Sequence, residues 1–290
     1  KIPPLFPVGR PLYSETLSVK YTPRLPQRNV NVTPASPLRD FLVLLLGLTA
    51  ILVGLYFLLG LAVNLIVPWL PMDIENRLAA PIVRRVVVKK DVPGQEAEVQ
   101  RLLDYLQTEC TDLPYRFTIH VSDNPHVNAL ALPGGNIVVF SGLLDKLKSE
   151  NELTFVLAHE MGHYAHRDHL KGLGRALVFM TLSAVVFGSD NPLANFLSHG
   201  LYVTELNFSR DQETAADEYA LVALNCTYGH VSGAGEFLRK IDEGDGGGNG
   251  GHYFSSHPET SERIAHLKDF AKMNGLDAGP LAPLPADFNL

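Results

Sequence analysis

The chain has 290 residues, a formal net charge of −7 and 46% apolar residues, with a pI near 5.9 and a mean hydropathy of +0.06. That length suits one good-sized domain with appendages. An acidic balance with no basic stripe interleaved with aromatics argues against nucleic-acid binding, and the hydropathy is high for a wholly water-soluble enzyme.

Residues 1–40 are rich in proline (Pro3, Pro4, Pro7, Pro11, Pro23, Pro26, Pro34, Pro37). Proline disfavours both helix and central strand, so an extended segment is predicted there. From Phe41 to Val67 no residue is charged, and Thr49 and Asn64 are the only small polar interruptions. At about 1.5 Å per residue this stretch makes a helix of about 40 Å, against a hydrocarbon core of about 30 Å. Trp69 follows at interface depth. Core helices rarely run so long without a polar face, and neither the length nor the flanks suit a cleaved signal peptide. A single transmembrane helix is predicted over 41–67. Lys1, Arg10, Lys20, Arg24, Arg28 and Arg39 outweigh Glu15 and Asp40 before it, while Arg77, Arg84 and Arg85 follow it. The bias favours a cytoplasmic N-terminus. That would place the rest on the periplasmic side of a bacterial inner (cytoplasmic) membrane.

Pro68 and Pro71 end the anchor, and a globular domain is expected over 68–273, with a loosely ordered tail at 274–290. Its fold class reads as α+β, mainly helical. A short amphipathic stretch, Met72 to Ala80, comes first. Ile82 to Lys89 is β-branched and reads as a strand. Gln95 to Thr108 is periodic like a helix, Arg116 to Val121 alternates like a strand, and Asn128 to Phe140 reads as two strands around the Pro133-Gly134-Gly135 turn. Helices are expected from Ser149 onward and near 205–224, 233–241 and 259–273. Ala176 to Gly188 is almost wholly apolar but short for a bilayer; it reads as a core helix or an element dipping into the membrane face. Gly244 to Gly251 is a glycine-rich loop, and with the apolar 176–204 region it is a hypothetical gate. Cys110 and Cys226 are either buried thiols or one disulfide.

His159-Glu160-Met161-Gly162-His163 carries the chemistry. It reads H-E-x-x-H, and on a helix the two imidazoles, four apart, can reach one metal ion while Glu160 holds and deprotonates a water. Ser149 and Glu152 have capping-box spacing, which starts a helix there. Leu153, Leu157, Met161 and Tyr164 give it an apolar face, so the motif is half-buried on a helix rather than on a polar surface. A catalytic zinc wants three protein ligands and one open position. His169 has the spacing of a third histidine, but His166 stands where a glycine would let the chain turn; the helix is expected to continue and His169 to point away. Glu213 is the better third ligand. Asp217, one turn on, can accept a hydrogen bond from a ligand histidine, and the alanines between them allow close helix packing. Two imidazoles and a carboxylate suit Zn2+. His120, His126, His199, His230 and His266 are expected to be structural or exposed, and His166, His169 and His252 to lie near the site without binding metal.

Several motifs in order resemble the M48 family of membrane-associated zinc metallopeptidases, over roughly 80–270. They are Asn128-Ala129, Pro133-Gly134-Gly135, Gly142-Leu143-Leu144, His159 to His163, Ser209-Arg210 with Glu213 and Asp217, and Ser256-His257-Pro258 with Arg263-Ile264. The resemblance implies a gluzincin-type domain with a small β-sheet beside the active-site helix, and zinc on His159, His163 and Glu213. It points to His257 as a donor to the developing oxyanion and to Asn128 for gripping substrate backbone. From spacing alone these two are a helix-entry and a turn residue. Arg263 is expected to bind substrate or to brace the His257 loop, and the strand through Ala129 to pair with an extended substrate. The single anchor differs from members with several membrane spans.

The implied activity is endopeptidase action on membrane or periplasmic proteins, in protein quality control. Protein substrates and the lipid bilayer, through 41–67 and 176–188, are the expected partners. The alternatives are a membrane-anchored chaperone or scaffold with little proteolysis, and a metal-dependent hydrolase of another substrate. An intact Glu160 favours catalysis.

Overall fold

A computed structural model describes residues 20–23, 36–86, 93–188, 208–244, 257 and 260–284. Residues 1–49 and 50–290 form separate compact units. Within the first, the described part beyond residue 36 is helical. Helix α1 runs Pro37–Ile66 and has no buried residue. Its apolar side chains, Leu44, Leu46, Phe57 and Leu58 among them, are exposed, and Trp69 is 85% exposed.

The second unit holds the globular elements. A 3-10 turn, Val67–Trp69, leads to α2, Met72–Val86. Helix α3, Pro93–Tyr105, ends in a π-turn, Leu106–Cys110. Strands β1 (Thr118–Ser122), β2 (Ala129–Leu132) and β3 (Asn136–Phe140) follow, then the short α4 (Ser141–Leu144). Next come α5 (Glu150–Ala165), α6 (Asp168–Phe187), α7 (Arg210–Tyr228), α8 (Ala234–Gly244) and α9 (Thr260–Met273). The sheet order is β1-β3-β2, with β1 parallel and β2 antiparallel to β3. Among the described residues β2 is therefore an edge strand. Both glycines of the hairpin turn have φ near +80° (Gly134 +77°, Gly135 +79°), and a Cβ on Gly135 would meet Arg116 O at 2.5 Å; only glycine fits there.

Period two divides β3 between two cores. Ile137 and Val139 join the main core, with Val99, Leu103, Phe155, Leu157, Leu224 and Phe237. Val138 and Phe140 pack with Leu132 beneath Ile82 and Val83 of α2. This explains why residues 82–86 are helical, not a strand: β-branched propensity is a weak prior, and the spacing of Ala79, Ile82 and Val83 covers the second face of the sheet. The part of that expected strand beyond 86 lies outside the described residues. So do the glycine loop from 245 on, His199, His252 and the 189–204 part of the expected gate.

Two further boundaries differ from expectation. The helix expected from Glu205 begins at Arg210, where Ser209 and Gln212 form a full capping box; residues 205–207 are outside the described set. The apolar stretch at 176–188 is the end of a 20-residue helix starting at Asp168. It is long and apolar enough to cross a membrane by length and composition, with Leu177, Phe179, Val185 and Phe187 exposed.

Cys110 and Cys226 form a disulfide, their Cα atoms 5.7 Å apart, tying the end of the π-turn to α7 across 116 residues of sequence. A loop of about that length corresponds to about 4.7 kcal/mol in the chain-entropy model. Cys110→Ser/Cys226→Ser should lower the unfolding free energy by about 3–5 kcal/mol. Urea titration of the detergent-solubilised protein, with and without reductant, checks this: reductant should move the wild type onto the variant's curve and leave the variant unmoved.

Candidate active site

Helix α5 starts where Ser149 Oγ accepts from Glu152 N at 3.2 Å. The other half of the box differs from expectation: Glu152 Oε2 accepts from Lys148 N at 2.6 Å and both its oxygens take Lys240 Nζ. From Asn151 to Tyr164 every residue of α5 is buried, so the motif lies deeper than a half-buried face. Helix α7 is its main neighbour. A Cβ on Gly162 would lie 2.8 Å from Ala216 Cα. That near-contact of backbones brings the Glu213 carboxylate to the two imidazoles.

The separations are tight. His159 Nε2 and His163 Nε2 are 3.2 Å apart. Glu213 Oε2 is 3.5 Å from His159 Nε2, and Oε1 is 3.4 Å from His163 Nε2. Donors about 2.0–2.1 Å from a central zinc, arranged as a tetrahedron, stand about 3.3–3.4 Å from one another. The donor set therefore fits. His257 is also within it: its Nδ1 is 2.9 Å from Glu213 Oε1 and 3.2 Å from His159 Nε2. All four residues are buried, with ligand atoms within 4.8 Å of one another. Glu160 is buried beside them, 3.7 Å from His257 Nε2, and neither of its oxygens has a hydrogen-bond partner among the described residues. A buried acceptor pair of that kind is costly unless something polar comes to it.

Charge accounting makes the same point. Four buried carboxylates, Glu160, Asp168, Glu213 and Asp217, share this region with Arg263 and the partly exposed Lys171. The buried carboxylates outnumber the two cationic side chains, an excess that favours a divalent cation or, without one, protonated imidazoles. Burial pulls the His159 imidazole toward neutrality, but the charges of Glu213 and Asp217 outweigh it and raise its pKa to about 9. His163 is raised also, against its burial, by bonds to Asp168 and Glu213. For His257 burial wins and the pKa falls.

The far nitrogen of each imidazole is held from behind. His159 Nδ1 donates to Asp217 Oδ1 at 2.9 Å, the partner expected from the sequence. His163 Nδ1 lies 3.4 Å from Asp168 Oδ2, a partner that sequence reasoning missed. Burial pushes the Asp217 carboxyl up, but Arg263 and His159 bring it down to about 2. Arg263 Nε and Nη2 grip Asp217 in a fork, both at 2.7 Å, and Nη1 is 2.8 Å from Glu213 Oε2 and 3.4 Å from His257 O. Its guanidinium is turned inward on these groups, the geometry of bracing, one of the two roles expected for it. Phe208 stacks on His163, centroids 3.7 Å apart and planes within 15°.

Asn128 is buried. Its Oδ1 accepts from Ala129 N at 2.9 Å and its carbonyl from Phe140 N at 3.1 Å, placing both residues at the start of the edge strand. The turn after α5 departs from expectation. The helix stops at Ala165, His166 Nδ1 donates back to Gly162 O at 2.9 Å, and Arg167 takes φ +54° without being glycine. His169 still points away from the metal-ligand cluster, bonded to Glu75 at 3.0 Å. His120 pairs with Asn136 and His266 with Glu218.

A model of peptidase family M48 matches residues 93–271. The mitochondrial metalloendopeptidase OMA1 of Schizosaccharomyces pombe is 31% identical over 210 residues, covering 69% of this chain and 61% of the relative. The protein of that name from Arabidopsis thaliana is 37% identical over 144 residues, 49% of this chain and 29% of its own length. The metalloprotease LoiP of Escherichia coli is 31% identical over 176 residues, covering 56% and 65%. The chain thus spans less than two thirds of each of these relatives.

Arg263→Ala should cost about 3–5 kcal/mol, since it leaves buried carboxylates unpaired. Adding Asp217→Asn should recover part of the loss, because the two substitutions share one interaction. Thermal or urea unfolding of the two single variants and the double variant measures both effects; additive losses would contradict the shared pair.

Proposed function

The chain belongs to peptidase family M48, and on that premise we propose that it is a membrane-anchored, zinc-dependent endopeptidase acting on membrane or periplasmic proteins in protein quality control. The observation that carries this is the convergence of two imidazoles and a carboxylate at tetrahedral spacing beside an unpartnered buried Glu160.

His159, His163 and Glu213 would hold the metal, with Asp217 and Asp168 fixing the two imidazoles. Zn2+, when bound, polarises the scissile carbonyl and acidifies water. Glu160 takes a proton from the attacking water at its carboxylate and returns it to the leaving amine. Desolvation serves this role, since no described residue hydrogen-bonds the carboxylate oxygens. Asn128 and Ala129, at the head of edge strand β2, would orient an extended substrate by adding it to the sheet.

His257 supports two readings. With Nε2 facing Glu160 it can donate to the developing oxyanion. Its Nδ1 also completes a four-donor cluster, from which it would have to withdraw to open a position for water. If His257 serves the transition state, His257→Ala lowers kcat by about 10²–10³-fold; if it only caps the site, the variant matches or exceeds the wild type.

The exposed apolar surface of α1 supports anchoring in a bilayer, and that of α6 supports contact with it. Leu177 lies nine residues beyond Asp168, or about 14 Å along a helix. An α6 tip in the bilayer would therefore keep the site close to the membrane surface and favour membrane-proximal substrate segments. The disulfide supports an oxidising compartment for the peptidase domain.

Incubation with casein, with and without chelator, tests the activity. Glu160→Gln should keep its zinc, measured by elemental analysis, and lose about 10²–10⁴-fold in cleavage rate. Cleavage indifferent to chelator, or undiminished in that variant, would remove the assignment. No cleavage but suppressed client aggregation would favour the scaffold.

A further inference from the structure

Arg167, Asp168 and His169 are consecutive, and each faces a different neighbour. Asp168 Oδ2 holds His163 at 3.4 Å, while Oδ1 accepts from Gln212 Nε2 at 2.6 Å and Lys171 Nζ at 3.1 Å. Arg167 Nη1 donates to the carbonyls of Val67 and Leu70 at 3.0 and 2.6 Å, closing the turn that follows α1. Val67 O also accepts from Leu70 N at 3.1 Å within the turn. His169 Nε2 donates to Glu75 Oε1 at 3.0 Å. Glu75 lies on α2 yet is wholly buried, and it also accepts from Gly134 N at 2.9 Å and Tyr115 OH at 3.1 Å. Burial alone would push its carboxyl up; the His169 and Gly134 bonds hold it below the usual carboxylate value.

We propose that Arg167-Asp168-His169 is a junction through which the docking of segment 67–75, just past the anchor, sets the orientation of His163 and so the affinity of the site for its metal. The inference rests on His163 being a ligand. A non-glycine residue at φ +54° is in a region that costs about 1–2 kcal/mol and persists only where its surroundings over-determine it. Here the surroundings are the two bonds from Arg167 to segment 67–70 and the one from His169 to Glu75. Between these two fixed points the backbone has no freedom to move Asp168 away from His163. Release either point and the strained turn can relax, carrying the carboxylate off the imidazole. Partners that orient a metal-binding histidine are typically worth about 10–100-fold in metal affinity. Arg167, Asp168 and Glu75 are then positioning residues, remote from the reacting atoms.

The test uses the full chain in phospholipid nanodiscs, with Zn2+ affinity read by competition against a chromophoric chelator and ligand geometry by the visible spectrum of the Co2+-loaded protein. Arg167→Gly removes the clamp yet suits the positive φ, and Glu75→Gln keeps the side chain's shape; metal-free melting confirms that each folds, and either one alone decides the matter. Both, like Asp168→Asn, should lose about tenfold or more in Zn2+ affinity and shift the Co2+ bands. Cys110→Ser/Cys226→Ser, which loosens the fold elsewhere, should lower the melting temperature and leave affinity unchanged. Arg167→Gly combined with Asp168→Asn should lose little beyond the larger single loss, since both act through one contact. Wild-type affinity in Arg167→Gly and Glu75→Gln, or fully additive losses in the double variant, would overturn the junction and leave a staple. A wild type that binds no Zn2+ would overturn the metal-site reading itself and the junction with it.

Discussion

Burying several carboxylates around a pair of imidazoles is tolerable only if their charge is answered locally, because an unpaired ion costs several kcal/mol once it leaves water. Here the answers are graded. Asp217 is held in the fork of Arg263, and Asp168 takes Gln212 and Lys171. Glu213 shares the same guanidinium and faces His257 Nδ1 at 2.9 Å, and Glu160 has no hydrogen-bond partner among the described residues. The least satisfied group is the one assigned to the proton transfer, and the most fully held are those that keep the rings in place. The field that would bind a dication is built by leaving the inner carboxylates under-neutralised while the outer ones are neutralised well.

That gradient depends on backbone proximity. Glu213 projects from a helix that touches α5 at Gly162 and Ala216, and larger residues there would hold the carboxylate too far from the imidazoles to share an ion. The partner helix is itself positioned at its start, one turn from Glu213, by the Ser209–Gln212 capping box. Tyr164, the last large residue of α5, sends its hydroxyl to Leu132 O and to Asn136 O, the latter at 2.7 Å, so the same helix that carries the histidines also fixes the hairpin bearing the edge strand. The two histidines proposed as ligands and the strand proposed to hold substrate are thus registered to one rigid element.

Much of this was legible in the residues. The H-E-x-x-H spacing, the choice of Glu213 over His169 and the partner role of Asp217 all follow from helical periodicity and ligand chemistry, and the structure brings those side chains together. What was not legible has specific causes. Residues 82–86 carry strand-forming side chains, but a sheet with two apolar faces needed covering, a tertiary demand that local propensity does not register. The break after Ala165 lacks its usual glycine; it depends on bonds from Arg167 to residues about a hundred positions earlier. Asp168 was passed over for the same reason, since a helix assumed to continue would have carried it away from His163. Arg263 sits in a motif shared with known peptidases, and resemblance alone does not distinguish a guanidinium facing substrate from one facing a buried carboxylate. The Ser209–Gln212 box was in plain view and would have corrected the start of α7.

The three residues at the α5–α6 turn also bear on why a peptidase of this kind would keep its anchor so close to its chemistry. A tether made of flexible linker raises local concentration and does nothing else. In this chain the residues just past the apolar helix are instead part of the globular interior. Val67 is buried and gives its carbonyl to Arg167, and Glu75 is buried against His169. On the opposite side of that turn stands an imidazole of the metal-ligand cluster. The path from the end of the apolar helix to that imidazole therefore runs through a few hydrogen bonds and one strained backbone residue, with no flexible spacer along it. An arrangement of that kind would make the proposed anchor a structural component of the site, coupling membrane attachment to the geometry of the proposed metal ligands.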